Sequence, residues 1–155
     1  MEQIIAQFEL HTHLLRNTCK DFSDEKASQL HGEENHVKWL VGHLVSTRYY
    51  TAKLLGLDEE FKYGHLYVRG SKAEDASQFP SLEAFLVEWE KISPILINHL
   101  KSMSEEVWNS KANFQFPIHD GSLKGSFSFM AHHEAYHIGQ VAYARRIVGL
   151  DGMKY

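Results

Sequence analysis

Residues 126–148 read SFSFMAHHEAYHIGQVAYARRIV. Met130, His133, His137, Gln140 or Val141, Ala144 and Val148 recur at helical spacing, which defines one face that should look inward. Ser126 or Ser128 is expected to cap the start, and Gly149 stands just past the end. About 20 residues at 1.5 Å each span roughly 30 Å, the length of a small helical bundle. Such a stripe needs other helices to cover it.

The rest of the chain supplies them. Ile4, Ile5, Phe8, Leu10, Leu14 and Leu15 predict a first helix over 2–18. A second is expected over 33–55, opened by Glu33 and Glu34 at the positive helix end and stopped before Gly56. A third follows Ser81 and runs from about 82 to 103, with Leu82, Phe85, Leu86, Trp89, Ile92, Leu96 and Leu100 on its buried side. Pro94 inside it should cause a kink. Residues 57–80, with Gly64, Gly70 and Phe79-Pro80, form a long connector, and Ser104-Glu105-Glu106 a short turn of helix. Phe114, Phe116 and Ile118 alternate before Asp120-Gly121, a modest hairpin signal. Four long helices and no strand-rich region predict an all-α, antiparallel four-helix bundle, a single domain over 1–155 with a long connector between helices 2 and 3.

Composition narrows the setting. With 43% apolar and 23% charged residues the chain has a globular balance, which excludes a disordered or fibrous protein. The net charge of −4, without a basic patch, argues against nucleic-acid binding. Cys19 is the sole cysteine, so no internal disulfide or C-x-x-C site exists, which suits a reducing compartment. The opening residues carry Glu2 and Glu9 and no basic-then-apolar leader pattern. No run approaches 18 apolar residues, so no membrane span is expected. The expectation is a cytoplasmic protein.

Histidine is the outlier, with 11 residues against 10 glycines. They are scattered from 11 to 137, so no terminal tag explains them. Chance alone gives a chain of this composition about one H-x-x-x-H pair. The placement of His133 and His137 says more, because both project from the inward stripe. Two adjacent buried imidazoles need either separate hydrogen-bond partners or one metal ion. A metal needs at least a third ligand, and His43 on the second helix is the preferred source. His36, two turns away, is left near an opening or end; His65 and His99 are weaker competitors.

His133 to His137 also spells H-E-x-x-H, with Glu134 in the general-base position of the zincin proteases. The surroundings disagree: Gln140 and Tyr143 stand where the longer metzincin motif needs glycine and histidine. After His137 only Asp151 offers another carboxylate, and no edge strand is apparent for a peptide. Haem is disfavoured as well, since C-x-x-C-H is absent and the His pair is too close to ligate opposite axial positions.

The run Asn35-His36-Val37-Lys38-Trp39-Leu40-Val41-Gly42-His43-Leu44 resembles the second-helix motif of the DinB-like (YfiT-like) metalloenzymes. His133-Glu134-Ala135-Tyr136-His137-Ile138-Gly139-Gln140 is similar to that family's last-helix H-x-x-x-H-x-G-Q motif. The connector from Phe61 to Pro80, with Arg69-Gly70-Ser71 and Phe79-Pro80-Ser81, is similar too. The resemblance implies a four-helix bundle holding a divalent metal through His43, His133 and His137, the set reached independently from spacing.

Three imidazoles leave a coordination position open, the pattern of catalytic sites. Some relatives are thiol-dependent transferases or isomerases. The resemblance therefore implies a transferase or hydrolase that activates a low-molecular-weight thiol or water for attack on a small-molecule electrophile. Zinc or nickel is the expected cation, with manganese and iron next. Gln140 is placed to orient a ligand; Glu134, about 100° around the helix from His133, is assigned to second-shell support or solvent. A homodimer is implied by the family and by apolar surplus on helices 1 and 2. The alternative is a metal-binding stress-response or interaction module without catalysis.

Overall fold

Helix propensity, caps and burial combine most clearly over Leu82–Ser102. Ser81 accepts a hydrogen bond from the Ala84 amide, and Leu82, Phe85, Leu86, Trp89, Ile92, Leu96 and Leu100 are buried along one side. Each such side chain contributes on the order of 1.5–3 kcal/mol of burial. The computed structural model describes residues 1–30, 35–68, 75–113, 116–117 and 120–155. Its helices are α1 (Glu2–Cys19), α2 (Asp24–Ala27), α3 (Val37–Leu54), α4 (Leu82–Ser102), α5 (Glu105–Asn109) and α6 (Leu123–Ile147). Among the described residues there is no strand, only an isolated bridge between Lys111 and Ser122.

The four long helices close a ring in which α1 packs on α4 and α6, and α3 packs on the same two. Side-chain partners give the directions. Arg16 meets Glu83 and Glu9 meets Lys101, so α1 and α4 run antiparallel. His43 meets His137 while Arg48 meets Glu134, so α3 and α6 do too. By contrast Phe8 meets Phe127 and Thr18 meets Arg145, making α1 and α6 parallel. Gly42 abuts Phe85 and Arg48 bonds Ser93, making α3 and α4 parallel. The expected four-helix bundle is therefore present, with antiparallel pairs joined side by side as parallel neighbours. Parallel neighbours explain the long connector, because the chain must return the whole length of α3, about 27 Å, before α4 can start.

That connector carries core rather than surface. Phe61 and Phe79 are buried, and Tyr63 and Tyr67 pack with them against Phe85. Two 3₁₀ turns, Gly64–Tyr67 and Ala76–Gln78, shape it. The motif residues Arg69-Gly70-Ser71 lie outside the described residues.

Helix boundaries correct two expectations. The second long helix starts at Val37, capped by the ring of His36, whose Nδ1 accepts from the Trp39 amide at 3.0 Å. The expected openers Glu33 and Glu34 lie outside the described residues. The last helix starts at Leu123, because Ser122, not Ser126 or Ser128, accepts from the Gly125 amide at 3.0 Å. Asp120 in turn accepts from the Ser122 amide, and Gly121 takes a positive φ of 65° there. Of the hairpin signal, Phe114 and Ile118 lie outside the described residues. α4 continues through Pro94, whose missing N–H falls on an exposed part of the helix.

Candidate metal centre

α6 buries Phe127, Met130, Ala131, Glu134, Ile138, Val141, Ala144 and Arg145. The inward stripe is thus rotated relative to the one read from sequence, and it runs through Glu134. His133 and His137 sit half-buried on its flank, facing α3. There they meet His43, also half-buried, from the second turn of α3.

One ligand nitrogen from each ring lies within 4.8 Å of the other two. His133 Nε2 is 3.1 Å from both His43 Nε2 and His137 Nε2. Removal from water disfavours charge on each ring, and neighbouring imidazoles add to this at His43 and His133. The His43 ring is pushed down to about 3 and His133 to about 4, and His137 is lowered as well. All three are therefore neutral near pH 7, the form that offers a lone pair. His137 Nδ1–H donates to Gln140 Oε1 at 2.6 Å, which fixes the tautomer that leaves Nε2 bare towards the cluster. Trp39, one turn before His43 on the same face, stacks on its ring at 4.9 Å and 9°. His133 Nδ1 is buried and has no hydrogen-bond partner among the described residues.

Imidazole nitrogens this close repel one another unless a proton or a cation lies between them. The donor set is neutral, nitrogen-only and borderline-soft, so it fits zinc, nickel, copper or iron better than magnesium or calcium. His65 is exposed and His99 lies on α4; neither joins the cluster. His36 is at a helix end, as expected, and buried as its cap.

For Glu134 the solvent-exposed alternative is overturned. The residue is fully buried, and its carboxylate takes Arg48 Nε at 2.7 Å and Nη2 at 2.8 Å, with His11 Nδ1 at 3.1 Å. Burial alone would raise its pKa, but the ion pair and hydrogen bonds of Arg48 outweigh that and hold it below the usual carboxylate range. It is neither solvent-exposed nor bonded to a ligand imidazole, and it is not free to act as the base of an H-E-x-x-H protease. Arg48 and His11 were missed from sequence; they lie 86 and 123 residues from their partner, and no local pattern signals them. Arg145 holds the Thr18 and Asp151 carbonyls and serves packing, while Tyr136 and His132 are exposed.

A cavity of about 420 Å³ lined by residues including Arg16, Lys20, Phe22 and Leu86 shares no residue with the histidine cluster. No described helix is long and apolar enough to cross a membrane.

Comparison with solved structures finds the same architecture in YfiT from Bacillus subtilis, described as a probable metal-dependent hydrolase with an unusual four-helix bundle topology. The two share 14% identity and a TM-score of 0.69, over 97% of this chain and 88% of that one. Comparison with curated proteins gives no significant sequence match. The DinB superfamily profile matches residues 7–141, which includes all three clustered histidines and both histidine motifs. By that match, carried over most of its length, the chain belongs to the DinB superfamily.

Proposed function

We propose that the protein is a metal-dependent enzyme in which His43, His133 and His137 hold one divalent cation, zinc or nickel in first preference, through their Nε2 atoms. The observation that carries this is the convergence of three neutral imidazole nitrogens within 4.8 Å, two of them at 3.1 Å from the third. A divalent cation there supplies a Lewis acid that makes water or a small thiol nucleophilic near neutral pH. Gln140 orients His137, and Trp39 backs His43 so that its ring keeps one rotamer. No carboxylate among the described residues joins the cluster, so the cation's charge stays available to an anionic nucleophile. The substrate is a small electrophile attacked by a low-molecular-weight thiol or by water. Hydrolysis has the support of the description given to YfiT. The family resemblance supports a homodimer, and the free thiol of Cys19 suits a cytoplasmic setting.

The test reconstitutes the protein with zinc or nickel and offers two panels. One pairs small thiols with chlorodinitrobenzene, and the other offers small esters and amides in water alone. Turnover on either panel that a chelator and His137→Ala both abolish supports the proposal. Stoichiometric metal without turnover on any panel points instead to a non-catalytic metal-binding module.

A further inference from the structure

One guanidinium touches all four long helices. Arg48 Nε and Nη2 hold the Glu134 carboxylate of α6, while Nη2 also reaches the Phe8 carbonyl of α1 at 3.0 Å. Nη1 donates to Thr12 of α1 at 2.8 Å and to Ser93 of α4 at 2.5 Å. Five donors thus meet five acceptors, the full complement of an arginine. The plane of the group lies over the Trp89 ring, 3.5 Å from its centroid. Arg48 and Glu134 are 1% and 0% exposed.

Stability does not explain this arrangement, because apolar side chains of the same volume often serve as well or better than a buried ion pair. What a forked, bidentate pair supplies is a single allowed geometry. Its location gives that geometry a use. Arg48 lies five positions after His43 on α3, and Glu134 directly follows His133 on α6. The two helices that carry every clustered histidine are therefore locked in height and rotation beside the site, about 7.5 Å of helix rise from His43 along α3.

We propose that Arg48 and Glu134 are positioning residues for the metal centre: their pair sets the register of α3 against α6 that brings His43 Nε2 to His133 and His137. The proposal rests on the three-histidine reading above. Neither residue touches the cation.

The test uses the full chain and cobalt(II), whose visible d–d bands report ligand number and geometry. Wild type, Glu134→Gln and the double variant Arg48→Met/Glu134→Leu are titrated and melted alongside Leu100→Ala, a core lesion at the far end of α4. The expected result is a folded pair variant whose cobalt affinity falls at least tenfold with shifted bands, while Leu100→Ala melts earlier but keeps wild-type bands and affinity. Pair variants that bind cobalt as wild type does overturn the proposal. So does a common trend in which affinity loss follows melting temperature in every variant, or loss of folding in both pair variants, since the pair then serves the bundle alone. Wild type that gives no cobalt bands refutes the three-histidine reading instead, which keeps the two failures distinct.

Discussion

The indole of Trp39 lies flat on the imidazole of His43, with ring centroids 4.9 Å apart and planes within 9°. The other two tryptophans, Trp89 and Trp108, are buried in the bundle and make no ring contact with a clustered histidine among the described residues. An open-shell cation held by His43 would quench the nearest indole most strongly. Nickel(II) titration is expected to quench tryptophan emission saturably, and Trp39→Phe to remove most of that quench. A full quench in Trp39→Phe would place the cation elsewhere.

Arg48→Ala leaves the Glu134 carboxylate buried without its counter-charge. Such a lesion costs about 3–5 kcal/mol, whereas Arg48→Met/Glu134→Leu removes both charges and should recover most of that loss. Urea unfolding of the apoprotein measures both. Equal losses in the single and double variants would show that hydrogen bonds to the other helices, not charge pairing, dominate.

His36 is held neutral as the α3 cap, its pKa lowered to about 4 by burial and then by Lys38. The unfolded chain binds a proton there near pH 6.5, so between about 4 and 6.5 the unfolded state holds more protons than the folded one. Stability from this group is fully present above that window and declines as pH falls through it. His36→Asn keeps a capping acceptor that does not titrate. Its apoprotein should lose less stability than wild type between pH 6.5 and 4 in parallel melts; identical slopes would contradict the assignment.

Two glycines in the motif helices should respond oppositely. A Cβ at Gly42 would lie 2.8 Å from the Phe85 ring and closer still to the Tyr67 hydroxyl, so Gly42→Ala must push the connector away. Overpacking of this kind costs about 1–3 kcal/mol. At Gly139 nothing lies within 4 Å, and alanine in an exposed helix is favoured by about 1 kcal/mol. Gly139→Ala should therefore melt about 2–4 °C higher. A lower melting point at Gly139→Ala would reveal a close approach from outside the described chain.

Much of this architecture is legible in the sequence, for identifiable reasons. The ranges of α1 and α4 follow from 3.6-residue periodicity, and Ser81 is a conventional cap. The starts of α3 and α6 are not, because a histidine is an unusual cap and Gly125 disguises a first turn. Glycine stands at 125, in the first turn of the helix, because the Asp120 carboxylate occupies the space a Cβ would need. The pairing of His133 with His137 is legible because i, i+4 spacing is a local property, whereas His43 reaches them from a helix 90 residues earlier in the chain. The rotation of the α6 stripe is not legible, since Glu134 becomes an inward residue only when Arg48 and His11 arrive from two other helices. A buried charge is decided by its partner, and its partner is decided by the fold.

The central claim is that the three imidazoles hold one cation, and metal content measures it most directly. Protein purified without an immobilised-metal column and reconstituted with zinc is expected to retain about one ion per chain after gel filtration, as three-ligand sites do. His43→Ala and His133→Ala should each lose most of it while keeping the helical circular-dichroism spectrum. Wild type that retains no stoichiometric ion and gains no thermal stability from zinc, nickel or manganese salts would contradict the account.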